Sequence, residues 1–293
     1  DVIFNGITVS SPVINNNSVS CTGNVTFADT YATATGKTGT FNASAGTVTF
    51  NANVDFSRNT FVSNNGTIVL DPSPSGTTIT LGGSNTYNTV QIKGNVDIKD
   101  KNTFATLTAS GLENKTITFP ATVAKVQNVT TKLILTGVSN DDNKRLLLRS
   151  DSANPADATT DCFYINFTGT VDDTNYSIKF VDMQNGYNAR EDGSSNPDYL
   201  RVKDSIDSGN NYYWNFPGAT YNWTGATDTD WYTPANWYPK SVPGIGTKVV
   251  ISSSFNSNPV EKFPSIDEDA ITLGNSGNLS GSITINDGAM IDF

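Results

Sequence analysis

The sequence predicts an all-β chain coiled as a parallel β-helix, a solenoid of stacked turns, and three observations predict it. The first is composition. Of 293 residues 36% are hydrophobic and 16% charged, with Glu only at 113, 191, 261 and 268, while Thr, Asn, Ser and Gly abound. Few strong helix formers remain; Thr and Val suit strand faces, and Asn, Asp and Gly suit tight turns. The second is an internal repeat: Thr47 to Phe61 reads TVTFNANVDFSRNTF and Thr89 to Phe104 reads TVQIKGNVDIKDKNTF, at an offset of 42 residues. Neither copy can bury its apolar face alone, so the repeat needs stacked neighbours, most simply as two turns of about 21 residues each. The third is a recurring hydrophobic-polar-hydrophobic triplet, Val25-Thr-Phe27, Val48-Thr-Phe50, Ile68-Val-Leu70 and Val90-Gln-Ile92, whose starts lie 23, 20 and 22 residues apart. Alternation at period two over such short runs marks half-buried strands.

Taken in order, residues 1–217 form the predicted solenoid. Between the main triplets lie Val54-Asp-Phe56, Ile79-Thr-Leu81 and Val96-Asp-Ile98, as a coil with two or three strands per turn requires. Turns are marked at Asn64-Asn65-Gly66, Gly82-Gly83 and Gly94-Asn95. The pattern continues through Ile117-Thr-Phe119, Leu133-Ile-Leu135, Leu146-Leu-Leu148, Phe163 to Phe167, and Tyr176, Ile178 and Phe180, with the register expected to hold to about residue 183. Polar stretches near 139–161 and 184–199 read as loops leaving the coil. Stacked at about 4.8 Å, roughly nine turns make a rod on the order of 45 Å long. Its ends are open strand edges that need covering. Residues 218–246, rich in Trp, read as a connecting module, and 247–293 as the opening of a second β block, with strands at Lys248-Val-Val-Ile251, Ile271-Thr-Leu273, Ile283-Thr-Ile285 and Met290-Ile-Asp-Phe293. A start at Asp1 without Met and an end within a strand pattern lead us to expect a piece of a longer protein.

Several segments carry a family resemblance. Ser205-Ile-Asp-Ser-Gly-Asn-Asn-x-x-Trp-x-Phe216 resembles the closing sequence of β-helical blocks in large secreted bacterial surface proteins of the haemagglutinin-like, adhesin type. Trp223-x-Gly225, Thr229-Asp-Trp231, Asn236-Trp237 and Val242-Pro243 resemble the Trp-rich joint that opens the next block, and Lys179-Phe-Val-Asp182 looks like the strand before the closing sequence. The resemblance covers residues 45–293 and rests on spacing more than identity. It implies a surface-exposed, right-handed parallel β-helix and carries over no catalytic residue. The stretch from Arg190 to Pro197 departs from the pattern and reads as a loop particular to this chain.

A net charge of −10 opposes phosphate backbones and anionic lipid surfaces at long range, so nucleic acid is not an expected partner. No apolar run approaches the roughly 18 residues of a membrane-spanning helix, so no direct membrane insertion of this segment is expected. Cys21 and Cys162 lie too far apart for neighbouring turns and read as buried thiols. The absence of histidine removes Ser-His-Asp and Cys-His nucleophiles and most zinc sites.

What remains for chemistry is carboxylates, Lys, Arg and calcium. Lys179, Asp182 and Arg201, with Arg190 and Asp198 beside them, are the material for a calcium-assisted β-elimination, in which a base removes the proton of a uronate. Asp141-Asp142, Asp172-Asp173 and Glu191-Asp192 read as solvated loop charge, since adjacent strand residues face opposite ways. Asp228 and Asp230 are candidate calcium ligands, as are Asp267 and Asp269, though neither set has the Gly and distal Glu of an EF-hand loop. Trp223, Trp231, Trp237 and Tyr232 are candidate glycan-stacking residues, or equally the core of a small module. The expected function is a structural and adhesive segment of an extracellular or cell-surface bacterial protein, a stiff stalk presenting loops to a glycan or protein on a host or neighbouring cell, without a required cofactor. The alternative is a carbohydrate-active β-helix, either a calcium-dependent lyase or a glycan-binding module; a trimeric tailspike is a third option.

Overall fold

Short strands with an apolar residue at every second position need hydrogen-bonded neighbours on both edges and a cover over one face. The chain supplies both by returning to pair with itself: Val48 pairs with Ile68 and Ile68 with Val90, all in parallel. The computed structural model describes residues 2–5, 8–9, 19–22, 25–27, 30–32, 39–43, 45–152, 159–190, 200–238, 242–244, 246–265 and 281–291. Within them the fold is all-β, with single 3-10 turns and no α-helix.

Three sheets, parallel throughout their ladders, run side by side. The longest follows Thr8–Val9, Val25–Phe27, Thr47–Phe50, Thr67–Leu70, Thr86–Ile92, Thr103–Ala109, Gln127–Thr136, Tyr176–Lys179, Leu200–Lys203 and Trp214–Asn215. The second follows Tyr31–Ala32, Val54–Asp55, Thr78–Gly82, Asn95–Ile98, Lys115–Phe119, Leu146–Ser150, Val181–Met183 and Ile206–Asp207. The third holds Val2–Asn5, Val19–Thr22, Gly39–Asn42 and Asn59–Val62. Gln127–Thr136 is long enough to serve two neighbours: its first half pairs with Phe163–Phe167 and its second with Tyr176–Lys179.

The repeat and the main triplets fall into one register. Thr47, Thr67 and Thr89 are directly paired, so the two copies lie two strands apart in the long sheet, as their offset predicts. The line Val25, Val48, Ile68, Val90, Leu107, Leu133, Tyr176 is unbroken. A neighbouring line runs Phe27, Phe50, Leu70, Ile92, Ala109, Leu135, Ile178. These side chains from Phe27 on are buried in one continuous core that reaches Trp214 and Phe216. Aromatic rings stack along it, with Phe27 on Phe50 at 5.0 Å and Tyr87 on Phe104 at 5.5 Å. Fully burying each such side chain contributes about 1.5–3 kcal/mol.

Three expectations are adjusted. Ile79-Thr-Leu81 and Val96-Asp-Ile98 pair in register, but Val54 pairs with Leu81, so the first secondary triplet is offset from the next by two residues. The cause is corner length: 51–53 separate the strands in one turn, and 71–77, with Pro72 and Pro74, in the next. Lys179-Phe-Val-Asp182 is two strands in two sheets, with Phe180 as a left-handed corner at φ 54°. Finally, strand pairing continues past residue 183 to Trp214–Asn215, and Gly186–Asn188, within the stretch expected to be loop, pairs with Phe163–Phe167.

Beyond Pro217 a further, C-terminal sheet forms in the order Trp237–Tyr238, Thr220–Trp223, Lys248–Ile251, Ser282–Ile285, over its own core of Tyr221, Trp223, Trp231, Trp237, Val242, Val249, Ile251 and Val260. Trp237–Tyr238 is antiparallel to its neighbour and the rest is parallel. Ala219 packs against both cores. The expected strand at 271–273 lies outside the described residues, and Met290 and Ile291 are not in a strand.

Candidate functional site

Lys179, Asp182 and Arg201 are distributed by the corner at Phe180. Lys179 and Arg201 belong to the long sheet, on Tyr176–Lys179 and Leu200–Lys203, whereas Asp182 belongs to the second, on Val181–Met183. Lys179 Nζ lies 3.4 Å from Asp204 Oδ2 and 4.4 Å from the centre of the Phe180 ring. Asp182 Oδ1 lies 3.0 Å from Arg149 Nη2 and accepts a 2.7 Å hydrogen bond from Ser208 Oγ. Arg149 also donates to the Asp182 carbonyl at 2.6 Å. Arg201 is half-buried, and its carbonyl accepts from the Tyr176 hydroxyl at 3.0 Å. The charges of Lys179 and Asp182 are thus paired with near neighbours, Asp204 and Arg149, and these contacts set no Lys or Arg opposite Asp182 as a proton-abstracting base. Arg190 is half-buried, with its amide bonded to Asn188 Oδ1 at 3.1 Å; Asp198 and the pair Glu191-Asp192 lie outside the described residues.

The aromatic group of the C-terminal sheet is a core. Trp223, Trp231 and Trp237 are each 1% exposed. Trp237 stands edge-on to Trp223 at 4.9 Å and to Trp231 at 4.7 Å, so the ring faces a sugar would use are occupied by one another. Two of the indole donors point inward, Trp223 Nε1 to the Lys262 carbonyl at 2.6 Å and Trp237 Nε1 to the Trp231 carbonyl at 2.8 Å. Tyr232 is half-buried against them. Of the two readings of these four residues, their burial fits the core of a small module; Tyr238, 56% exposed and 5.2 Å from the Phe255 ring, faces out.

Asp228 and Asp230 shape a loop. Asp228 Oδ1 accepts from the Asp230 amide at 3.0 Å and from Asn236 Nδ2 at 2.5 Å, and its Oδ2 accepts from Thr233 Oγ1 at 3.3 Å. Asp230 Oδ1 accepts from the Tyr232 amide at 2.8 Å, and its Oδ2, 3.2 Å from Thr233 Oγ1, shares that hydroxyl's one proton with Asp228. Buried Asn236 closes the loop, accepting from the amides of Thr227 and Asp228. Calcium takes six to eight oxygens, commonly from several carboxylates. Here both carboxylates already cap amide and hydroxyl donors, and no group of three acidic or Cys side chains gathers among the described residues. Asp267 and Asp269 lie outside them.

Two features escaped sequence reasoning. Arg145 is 6% exposed and ties the 139–144 loop to the body through Asn140 and the Asp204 carbonyl, at 2.9 Å for the latter. A satellite cluster joins Cys162, Tyr164 and Tyr212 with Tyr187 and Tyr213 packed on it; Tyr164 and Tyr187 are 4.6 Å apart. Burial, reinforced by Asp161, pushes the Cys162 thiol up to about 12. The spacing of Tyr164, Tyr187 and Tyr212, about one turn apart, was the available signal, but short polar insertions obscured it. No protein-family model, curated protein or solved structure matches the chain.

Proposed function

We propose that the parallel sheets wrap into a right-handed parallel β-helix that serves as a rigid stalk in an extracellular bacterial protein, holding adhesive loops away from its anchor. In this reading residues 1–217 form the helix, 218–246 a connecting module and 247–293 the start of a second β block. The observation that carries it is the unbroken line from Val25 to Tyr176, in which every turn is hydrogen-bonded to the next over one continuous core. Such a stack resists bending because each turn is held by its neighbours. The local pairing of Lys179 with Asp204 and of Asp182 with Arg149 supports a structural surface over a catalytic groove. Loops near 139–144, 151–161 and 189–199, beside the strands Leu146–Ser150 and Gly186–Asn188, carry the ligand contacts, and the partner is a glycan or protein on a host or neighbouring cell. The net charge of −10 argues against nucleic acid.

The test is incubation with a panel of neutral and acidic polysaccharides, in calcium and then in chelator, followed by measurement of polymer chain length. Unchanged length throughout supports the stalk. Calcium-dependent shortening of any polymer would overturn it in favour of a lyase.

A further inference from the structure

One stretch of the long sheet's outer face differs in chemistry from the rest of the surface. On the neighbouring strands Thr47–Phe50, Thr67–Leu70, Thr86–Ile92 and Thr103–Ala109, buried Val48, Ile68, Val90 and Leu107 alternate with residues that face outward. One outward column is Thr47, Thr67, Thr89 and Thr106, each paired directly with the next. The column two residues along is Thr49, Val69, Gln91 and Thr108, and Thr26 extends it by one strand. None of these residues is charged, although the chain carries a net charge of −10. The outward positions of the second sheet, by contrast, include Asp55, Asp97, Arg149 and Asp182, so a neutral face is not the rule for this chain. The grid ends at Gln127–Thr136, where the register shifts and Lys132 and Ile134 enter the two columns.

Neighbouring strands lie about 4.8 Å apart and two residues advance about 6.6 Å along a strand, so the side chains form a grid with these two repeats. Its positions are stiff. Each strand is paired on both sides, and the branch at the Thr Cβ restricts χ1. Thr89 Oγ1 accepts at 3.4 Å from Asn88 Nδ2, and Thr108 Oγ1 donates at 3.5 Å to the Val90 carbonyl. A hydroxyl has one donor and two acceptor sites, so both keep capacity for water.

We propose that this face binds ice. The oxygens of ice repeat along one axis at nearly the strand spacing and along another at nearly the two-residue advance. The Thr hydroxyls of both columns then take lattice positions, with their methyl groups in the gaps between. Ordering liquid water at a polar surface costs entropy, whereas water in a crystal is ordered before it is bound. Charge complementarity points the same way, since a neutral face meets a neutral solid and no ionic hydration shell stands between them. A crystalline neutral polysaccharide is the competing occupant, but sugars stack on aromatic rings and neither column holds one. Val69 keeps methyl groups in the grid, while Gln91 is exposed, longer than its neighbours, and interrupts it.

The test is growth of an ice hemisphere from a dilute solution of the full chain, reading the ratio of protein in the ice to protein in the remaining liquid. The wild-type chain should enter the ice, and its exclusion would overturn the proposal. Thr89→Tyr, in the middle of the grid, keeps strand propensity and should lower the ratio roughly tenfold. Thr118→Tyr, on the outer face of the second sheet, should leave it unchanged; an equal loss from both variants, at urea midpoints equal to the wild type's, would overturn the assignment to this face. Gln91→Thr completes the grid and should raise the ratio. Retention of the wild-type chain on crystalline cellulose with exclusion from ice would overturn the proposal in favour of a neutral polysaccharide.

Discussion

At the scale of single residues, burial rather than residue type decides the chemistry. Cys162 is fully buried beside Tyr164 and Tyr212, and its raised pKa leaves almost no thiolate at pH 8. In a Cys21→Ser background we expect thiol reagents to label Cys162 at least a hundredfold more slowly in the native chain than in denaturant; labelling at an exposed-thiol rate would contradict its position in the core. Gly137 is as constrained, because a Cβ there would meet the carbonyl of Lys144 at 2.7 Å and the amide of Leu146 at 2.8 Å, besides the Phe180 carbonyl. These are backbone atoms that cannot swing aside, so Gly137→Ala should lower stability by about 1–3 kcal/mol in urea titration. Such constraints were not legible in the sequence. Nothing about Gly137 or Phe180 marks a corner, since a left-handed aromatic residue is imposed by the neighbouring turns and not by its own preference.

At the scale of elements, the strands of the long sheet were legible and the corners were not. Val48, Ile68 and Val90 announce themselves by period-two alternation, and their pairing follows because a slip of one residue would turn every apolar side chain outward. The offset of Val54 against Ile79 was hidden, because it depends on how many residues 71–77 spend in turning. The Trp cluster was legible as a group, either a stacking face or the core of a small module: composition brings the indoles together, and packing says which way their faces point. Trp237→Ala should cost about 3–5 kcal/mol, read by chemical denaturation with Trp fluorescence, and should leave binding to a glycan array unchanged. Loss of glycan binding without loss of stability would restore the stacking reading. Asp182→Asn removes the partner of Arg149, and its expected effect is a modest loss of stability, with polysaccharide chain length unaffected in every assay.

For the whole molecule, the proposed stalk requires turns stacked at strand spacing into a rigid rod. Repeat length and strand content were readable from the two copies at Thr47 and Thr89, because a repeat too small to bury its own face must stack. Ligand and activity were not readable, because the chemistry of loops leaving stacked parallel strands does not follow from the repeat that stacks them. The most direct measurement is the distance between spin labels at Thr26→Cys and Ser177→Cys in a Cys21→Ser background. These positions lie on one line of paired residues, Thr26, Thr49, Val69, Gln91, Thr108, Ile134, Ser177. With strands about 4.8 Å apart, the backbone separation is about 29 Å, and a narrow distribution near it, widened by the label arms, is the predicted result. A broad distribution, or a maximum much beyond that distance, would contradict the stacked rod and the stalk function built on it.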